Sequence, residues 1–138
     1  MKKTSHVSLL RKCLLATLLI AAVGATAAAA TVTSAGNGNW NSTTANAPWP
    51  GGTVPAASDD VIIAAGNIVT VTATITQTGS VEVAGTLTCT TVGANVTLGS
   101  LTIDASGTVT CSRVLTVNGA TDITGTISLS GARANVFA

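Results

Sequence analysis

The chain has three aromatic residues in 138, Trp40, Trp49 and Phe137, and no tyrosine. That scarcity excludes a core assembled around large rings. Apolar burial has to come from Val, Ile and Leu laid down in layers, which is how solenoids are filled. Histidine occurs once, as His6, inside an N-terminal segment read below as removed. Without it, His-based triads and His general bases have no candidate in the remainder. Charged residues make up only 8% of the chain. Beyond residue 30 there is no apolar run long enough for a membrane-spanning helix.

The N-terminus has the composition of a secretory leader. Met1-Lys2-Lys3 and Arg11-Lys12 give it a positive flank, and Cys13 to Val23 follow as an apolar run too short to cross a bilayer. Ala25-Thr26-Ala27-Ala28-Ala29-Ala30 then supplies the small residues beside which a signal peptidase cuts. Residues 1–30 are therefore read as a signal peptide with cleavage near residue 30. An N-terminal membrane anchor is the alternative, and the flanks and length fit cleavage better. Cys13 heads the apolar run, which is not where a lipid-modified cysteine at a cleavage site stands. The expected location is secreted or cell-surface. Loss of the leader leaves two bases, Arg113 and Arg133, against five acids, Asp59, Asp60, Glu82, Asp104 and Asp122, a formal balance of −3. Such a surface offers no electrostatic footprint for nucleic acid and no basic patch for anionic lipid.

Residues 31–60 read as a looped N-terminal cap segment. Gly36-Asn37-Gly38-Asn39, Pro48-Trp49-Pro50-Gly51-Gly52 and Val54-Pro55 exclude a helix at that density of Gly and Pro. From Val61 the pattern becomes alternation, as in Ile68-Val69-Thr70-Val71-Thr72, which predicts strands. An internal repeat organises them. Gly79, Gly99 and Gly119 are spaced 20 residues apart, each followed by one strand (Val81-Glu82-Val83, Leu101-Thr102-Ile103, Thr121-Asp122-Ile123) and, after a corner, by a second (Thr86 to Cys89, Thr108 to Cys111, Thr126 to Leu129). A Gly-marked period near 20 predicts a coil in which each repeat is one turn. Stacking the copies gives four mostly apolar columns, Val81/Leu101/Thr121, Val83/Ile103/Ile123, Leu87/Val109/Ile127 and Cys89/Cys111/Leu129. Between them fall the polar columns Glu82/Thr102/Asp122, Thr86/Thr108/Thr126 and Thr88/Thr110/Ser128. The expected fold is all-β, a short right-handed parallel β-helix over residues 61–138, incomplete at its C-terminus, with roughly five turns in the mature chain. An antiparallel β-sandwich is the alternative, since short strands between turn signals also suit sandwiches.

The opening of the mature chain resembles a known segment. Trp40, the run from Trp49-Pro50-Gly51-Gly52 through Val54-Pro55 to Asp59-Asp60-Val61-Ile62-Ile63, then Gly66 and Val69-Thr70-Val71 are similar to the "W-x-GG-x-VP…DDV-x-I…G…VTV" opening of secreted bacterial surface proteins. There the segment leads into a parallel β-helix of the adhesin or autotransporter-passenger kind. A related segment opens the extracellular eight-glycine domain of animal surface proteins. The resemblance covers residues 36–75 and implies export, a β-helix and adhesion or carbohydrate contact, with no particular active site. In that reading Trp49 covers the open end of the first turn, and Gly51, Gly52, Pro50 and Pro55 shape the loop that carries it there. Asp59 or Asp60 accepts backbone N–H groups at the start of the first strand.

Candidate chemistry is sparse. Glu82 and Asp122 share an outward column two turns apart, about 9–10 Å, the upper edge of an inverting glycosidase pair. Thr102 stands between them with no third acid and no aromatic platform, and solvated surface acids are the simpler reading. Asp59-Asp60 supplies too few oxygens for a cation, with no Asp-x-Asp-x-Asp spacing, and suits a turn better. Cys89 and Cys111 fall in one column, either as buried thiols or as a disulfide clipping adjacent turns. Two thiols without histidine make a poor metal site. The outward Thr columns could order water as an ice-binding face does, and Thr is also simply a good strand residue. Asn41-Ser42-Thr43 and Asn95-Val96-Thr97 match the glycosylation sequon. The composite expectation is a non-enzymatic, cofactor-free, adhesin-like module. Its partners would be carbohydrate, a cell-surface protein or further copies of itself through an open C-terminal turn. The alternative is the N-terminal part of an extracellular carbohydrate-active enzyme, a lyase or hydrolase whose site lies outside the chain.

Overall fold

The computed structural model describes residues 28–130 and 136–137. Its strands are β1 (Thr31–Thr33), β2 (Gly38–Asn39), β3 (Asp60–Ile63), β4 (Ile68–Thr70), β5 (Ile75–Val83), β6 (Thr86–Cys89), β7 (Val96–Ile103), β8 (Thr108–Cys111), β9 (Leu115–Val117), β10 (Thr121–Ile123), β11 (Thr126–Leu129) and β12 (Val136–Phe137). Every pairing between them is parallel. One sheet stacks β1, β3, β5 and β7 and continues into β9 and β12, with β10 also on β7; the other runs β2-β4-β6-β8-β11. Successive strands in each sheet come from successive coils, so the chain is a parallel β-solenoid and not a sandwich.

The register follows the 20-residue repeat. Val81 pairs with Leu101 and Leu101 with Thr121, while Leu87, Val109 and Ile127 align in the other sheet. Inward positions of the middle coils are sealed: Val81, Val83, Leu87, Leu101, Ile103 and Val109 are all buried. Burial of each such side chain contributes on the order of 1.5–3 kcal/mol, so the stacked columns are the main source of stability. Thr and Glu residues between them face outward, as strand alternation requires.

The repeating glycines mark a bend inside the first sheet. Between Gln77 and Ser80 the pairing of β5 with β7 shifts register, and above it the strand separates into β9 and β10. A Cβ on Gly79 would overlap the Asp59 carbonyl, and one on Gly99 the Thr78 carbonyl. Coils pass too closely at this corner for any side chain. The bend also creates a third inward wall, Ile75/Val96/Leu115 and Gln77/Leu98/Val117, which the glycine-anchored repeat leaves out.

Two expectations need correction. About three turns are fully formed, not five. Residues 40–59 and the corner at 90–95 use chain without adding strands, and β2 and β12 are two residues each. Segment 31–60 is also not wholly looped, because β1 and β2 join the two sheets beneath β3 and β4. Thr31-Val32-Thr33 has the strand alternation that the glycines after it obscured. The leader expected at residues 1–30 lies outside the described residues up to position 27.

Candidate functional site

The N-terminal end is built around two tryptophans. Trp49 has 0% and Trp40 2% of its surface exposed, with ring centroids 5.1 Å apart and planes at 78°. This edge-to-face contact suits the opposed charges of ring edge and ring face. Trp49 Nε1–H donates to the Trp40 carbonyl at 2.5 Å, which satisfies the one polar atom of a fully buried ring. The loop bearing Trp49 lies on β2: Ala35 N–H donates to the Pro48 carbonyl at 2.7 Å, and a Cβ on Gly38 would come within 2.6 Å of the Ala47 backbone. Pro50–Gly52 forms a single 3-10 turn in which Gly51 and Gly52 take φ of 63° and 74°. Pro55 is buried and Val54 packs on the core. Trp49, Val54 and Pro55 of the Trp-Pro-Gly-Gly…Val-Pro run thus pack at this end, while Pro50 is exposed in the turn between them.

Both aspartates hold backbone. Asp59 accepts the Ala56 N–H at 2.8 Å and the Ala30 N–H, just before β1, at 2.9 Å. Asp60 reaches one coil further and accepts the Ser80 hydroxyl at 2.6 Å and the Ser80 N–H at 2.8 Å. These bonds favour its charged form, so its pKa lies below the usual 3.8, the hydroxyl acting most, then the amide, against a smaller opposing effect of burial. Two further polar groups carried no sequence signal. Gln77 is 2% exposed and its Nε2 donates to the carbonyls of Ala56 at 2.8 Å and Asp59 at 2.5 Å. Ser34 Oγ accepts from Ala64 N–H at 2.9 Å and Asn67 Nδ2 at 2.8 Å, tying the first coil to the second across 30 residues or more.

Cys89 and Cys111 stack in adjacent strands with Cα atoms 4.6 Å apart and their sulfurs joined as a disulfide. Glu82, Thr102 and Asp122 form one outward column above Ile62, so the two carboxylates stand apart. Outward hydroxyls line the second sheet as Thr86/Thr108/Thr126 and Thr70/Thr88/Thr110/Ser128, and a third column, Thr76/Thr97/Thr116, lies on the first. Arg113, between β8 and β9, keeps its Nε buried without a hydrogen-bond partner. Asn41 and Asn95 are both exposed. Among the described residues no three His, Cys, Asp or Glu side chains lie close enough to hold a metal ion, and no helix is long and apolar enough to cross a membrane. Comparison with protein-family models, with curated proteins and with solved structures finds no match.

Proposed function

We propose that the chain is exported by its N-terminal segment and acts outside the cytoplasm as a non-enzymatic, adhesin-like β-helical module. Its outward sheet faces meet carbohydrate or a cell-surface protein, and its last coil associates with further copies. One observation carries this reading: the conspicuous residues are spent on construction. Trp49, Gly51, Gly52 and Pro55 close an end, Asp59 and Asp60 hold backbone amides, and Cys89 and Cys111 clip two coils. What is left for contact is mostly hydroxyl and periodic, the Thr columns of both sheets at a spacing of about 4.8 Å per coil, beside one column in which Glu82 and Asp122 flank Thr102. A repeating hydroxyl face suits a repeating ligand such as a polysaccharide, which can be held at several coils at once.

The test has two arms. The leader fused to a reporter should carry it out of the cytoplasm, and a reporter retained inside would end the export reading. The purified chain should bind a panel of polysaccharides or cell surfaces, and Thr88→Lys with Thr110→Lys on the second sheet should abolish that binding while the fold persists. Turnover of a bound polysaccharide by the chain would overturn the non-enzymatic reading.

A further inference from the structure

Asparagine followed by glycine occurs twice, at Asn37-Gly38 and Asn118-Gly119, and the fold treats the two pairs differently. An asparagine side chain is open to attack by the next backbone nitrogen, and most of all before glycine, where no Cβ hinders the approach and the backbone bends freely. The attack requires that neither the side chain nor that nitrogen be held elsewhere. Both asparagines are exposed, so exposure does not separate them. Asn37 is tied down. Its Oδ1 accepts the Ile68 N–H at 2.7 Å. Gly38 lies in β2 paired with Val69, so close to the loop above that a Cβ would stand 2.6 Å from the Ala47 backbone.

Asn118 follows β9 and precedes β10, where the chain leaves the third wall for the first sheet. Val117 stands over Leu98 and Thr121 over Leu101, so residues 118–120 span what Gly99 and Ser100 alone span in the coil beneath. The segment is one residue too long for its neighbour and lies outside the ladder. Two backbone bonds pin its ends: Asn118 N–H donates to the Leu98 carbonyl at 2.9 Å, and the Ala120 carbonyl accepts the Leu101 N–H at 3.0 Å. Between them, among the described residues, nothing holds the Asn118 side chain or the Gly119 N–H. Thr78 occupies the corresponding place two coils earlier, and its hydroxyl donates to the Ala57 carbonyl at 2.9 Å.

We infer that Asn118-Gly119 is a site of spontaneous covalent modification, passing through a cyclic imide to a mixture of aspartate and isoaspartate while Asn37 persists. The Gly119 nitrogen gives its proton to solvent base and attacks Cγ of Asn118. The Cγ–Nδ2 bond breaks, and the side-chain nitrogen takes up a proton and leaves as ammonia. Water then opens the five-membered ring. Hydrolysis at Cγ gives an ordinary aspartate, and hydrolysis at the main-chain carbonyl gives an isoaspartate whose backbone runs through Cβ and Cγ. One water is consumed and one ammonia released, with no oxidant or cofactor. Either product places a carboxylate on the outward side of this coil, two residues from Thr116 of the Thr76/Thr97/Thr116 column. The isoaspartate also adds a methylene to the main chain between the two bonds that pin the segment, where the backbone is already free of the ladder. The modification therefore changes the charge of a hydroxyl-bearing face without requiring the coils to separate.

The test holds the folded protein in warm, mildly alkaline buffer beside the same chain unfolded in urea, and follows both asparagines by peptide mapping with mass spectrometry. In the folded protein Asn118 should convert within about threefold of its rate in urea, whereas Asn37 should convert at least about tenfold more slowly than in urea. Part of the product at residue 118 should be a substrate for an isoaspartyl methyltransferase. Asn118→Gln, whose longer side chain closes a larger ring far more slowly, should remove that methylation from the folded protein. The measurement on the unaltered chain stands even where this variant fails to fold. Conversion of Asn118 in urea but not in the folded chain would overturn the inference. Equal conversion of the two asparagines in the folded chain would overturn the protection assigned to Asn37, and aspartate without isoaspartate at residue 118 would overturn the cyclic route.

Discussion

Replacement of Trp49 is the sharpest test of how the solenoid is closed. The ring is fully buried at the end of the stack and makes three kinds of contact: burial, an edge-to-face pair with Trp40, and a hydrogen bond to the Trp40 carbonyl. Truncating a buried tryptophan to alanine removes on the order of 3–5 kcal/mol through lost transfer energy and the void left behind. A single domain of this size is stable by about 5–15 kcal/mol, so Trp49→Ala should remove between about a fifth of the stability and all of it. Trp49→Phe separates the contributions. Most of the ring stays, but the buried Trp40 carbonyl loses its donor, at a cost of about 1–3 kcal/mol. The assay is urea unfolding of the oxidised protein followed by far-UV circular dichroism, with the shift in midpoint read at a common slope. Coils contact only their neighbours, so the N-terminal coil should open first in the variant, visible as faster amide exchange in β1–β4 than in β6–β8. A cost for Trp49→Ala within about 0.5 kcal/mol, the range of ordinary surface changes, would refute the reasoning.

Three other outcomes follow from the geometry. Closing a 22-residue separation, the Cys89–Cys111 bridge stabilises by about 3 kcal/mol in the chain-entropy account, so the paired serine variant should melt roughly 10–20 °C lower, and free thiols detected in the folded wild-type chain would contradict the bridge. Because Asp60 is depressed below 3.8 by Ser80, its contribution is present above the ordinary value and is lost as pH falls through the lower folded value; Ser80→Ala should move the Asp60 titration upward by NMR, and an unchanged titration would exclude the hydroxyl as cause. Gly51 and Gly52 both have positive φ, but a Cβ on Gly51 meets open space and one on Gly52 overlaps the Thr43 carbonyl. Gly51→Ala should cost about 1–2 kcal/mol in urea unfolding, Gly52→Ala at least about 1–3 kcal/mol more, and equal costs would contradict the placement of that loop.

The stacking register was legible because two periodicities agree. Alternation of Val, Leu and Ile with Thr set which side faces in, and the 20-residue glycine spacing set which residues stack. Leu87 over Val109 and Val81 over Leu101 follow from those two facts alone. The third wall was not legible. Gln77 interrupts the apolar alternation of β5 and is buried nonetheless, its amide satisfied by the carbonyls of Ala56 and Asp59 some 20 residues earlier. Ser34 and Asn67 likewise meet only once the first coil lies under the second, and nothing local to either announces it. The stack holds about three turns where length over period suggests five, because the loops at 40–59 and 90–95 leave it.

The ends, unlike the middle, depend on single residues. Each interior coil is covered by its neighbours, so medium-sized side chains suffice there and one column position tolerates Val, Leu or Cys. A terminal coil has one neighbour, and its exposed interior must be covered by something larger than the column residue itself. Trp40 and Trp49 both lie at the N-terminal end, whereas the last coil places Thr121 where Val81 and Leu101 stood and leaves Ile123 in water. With three aromatic residues in the whole chain, two committed to one cover, the supply for a second was nearly used up. The difference between the tryptophan-covered coil and the last described coil is thus a consequence of composition, of the same scarcity that excluded a ring-packed core.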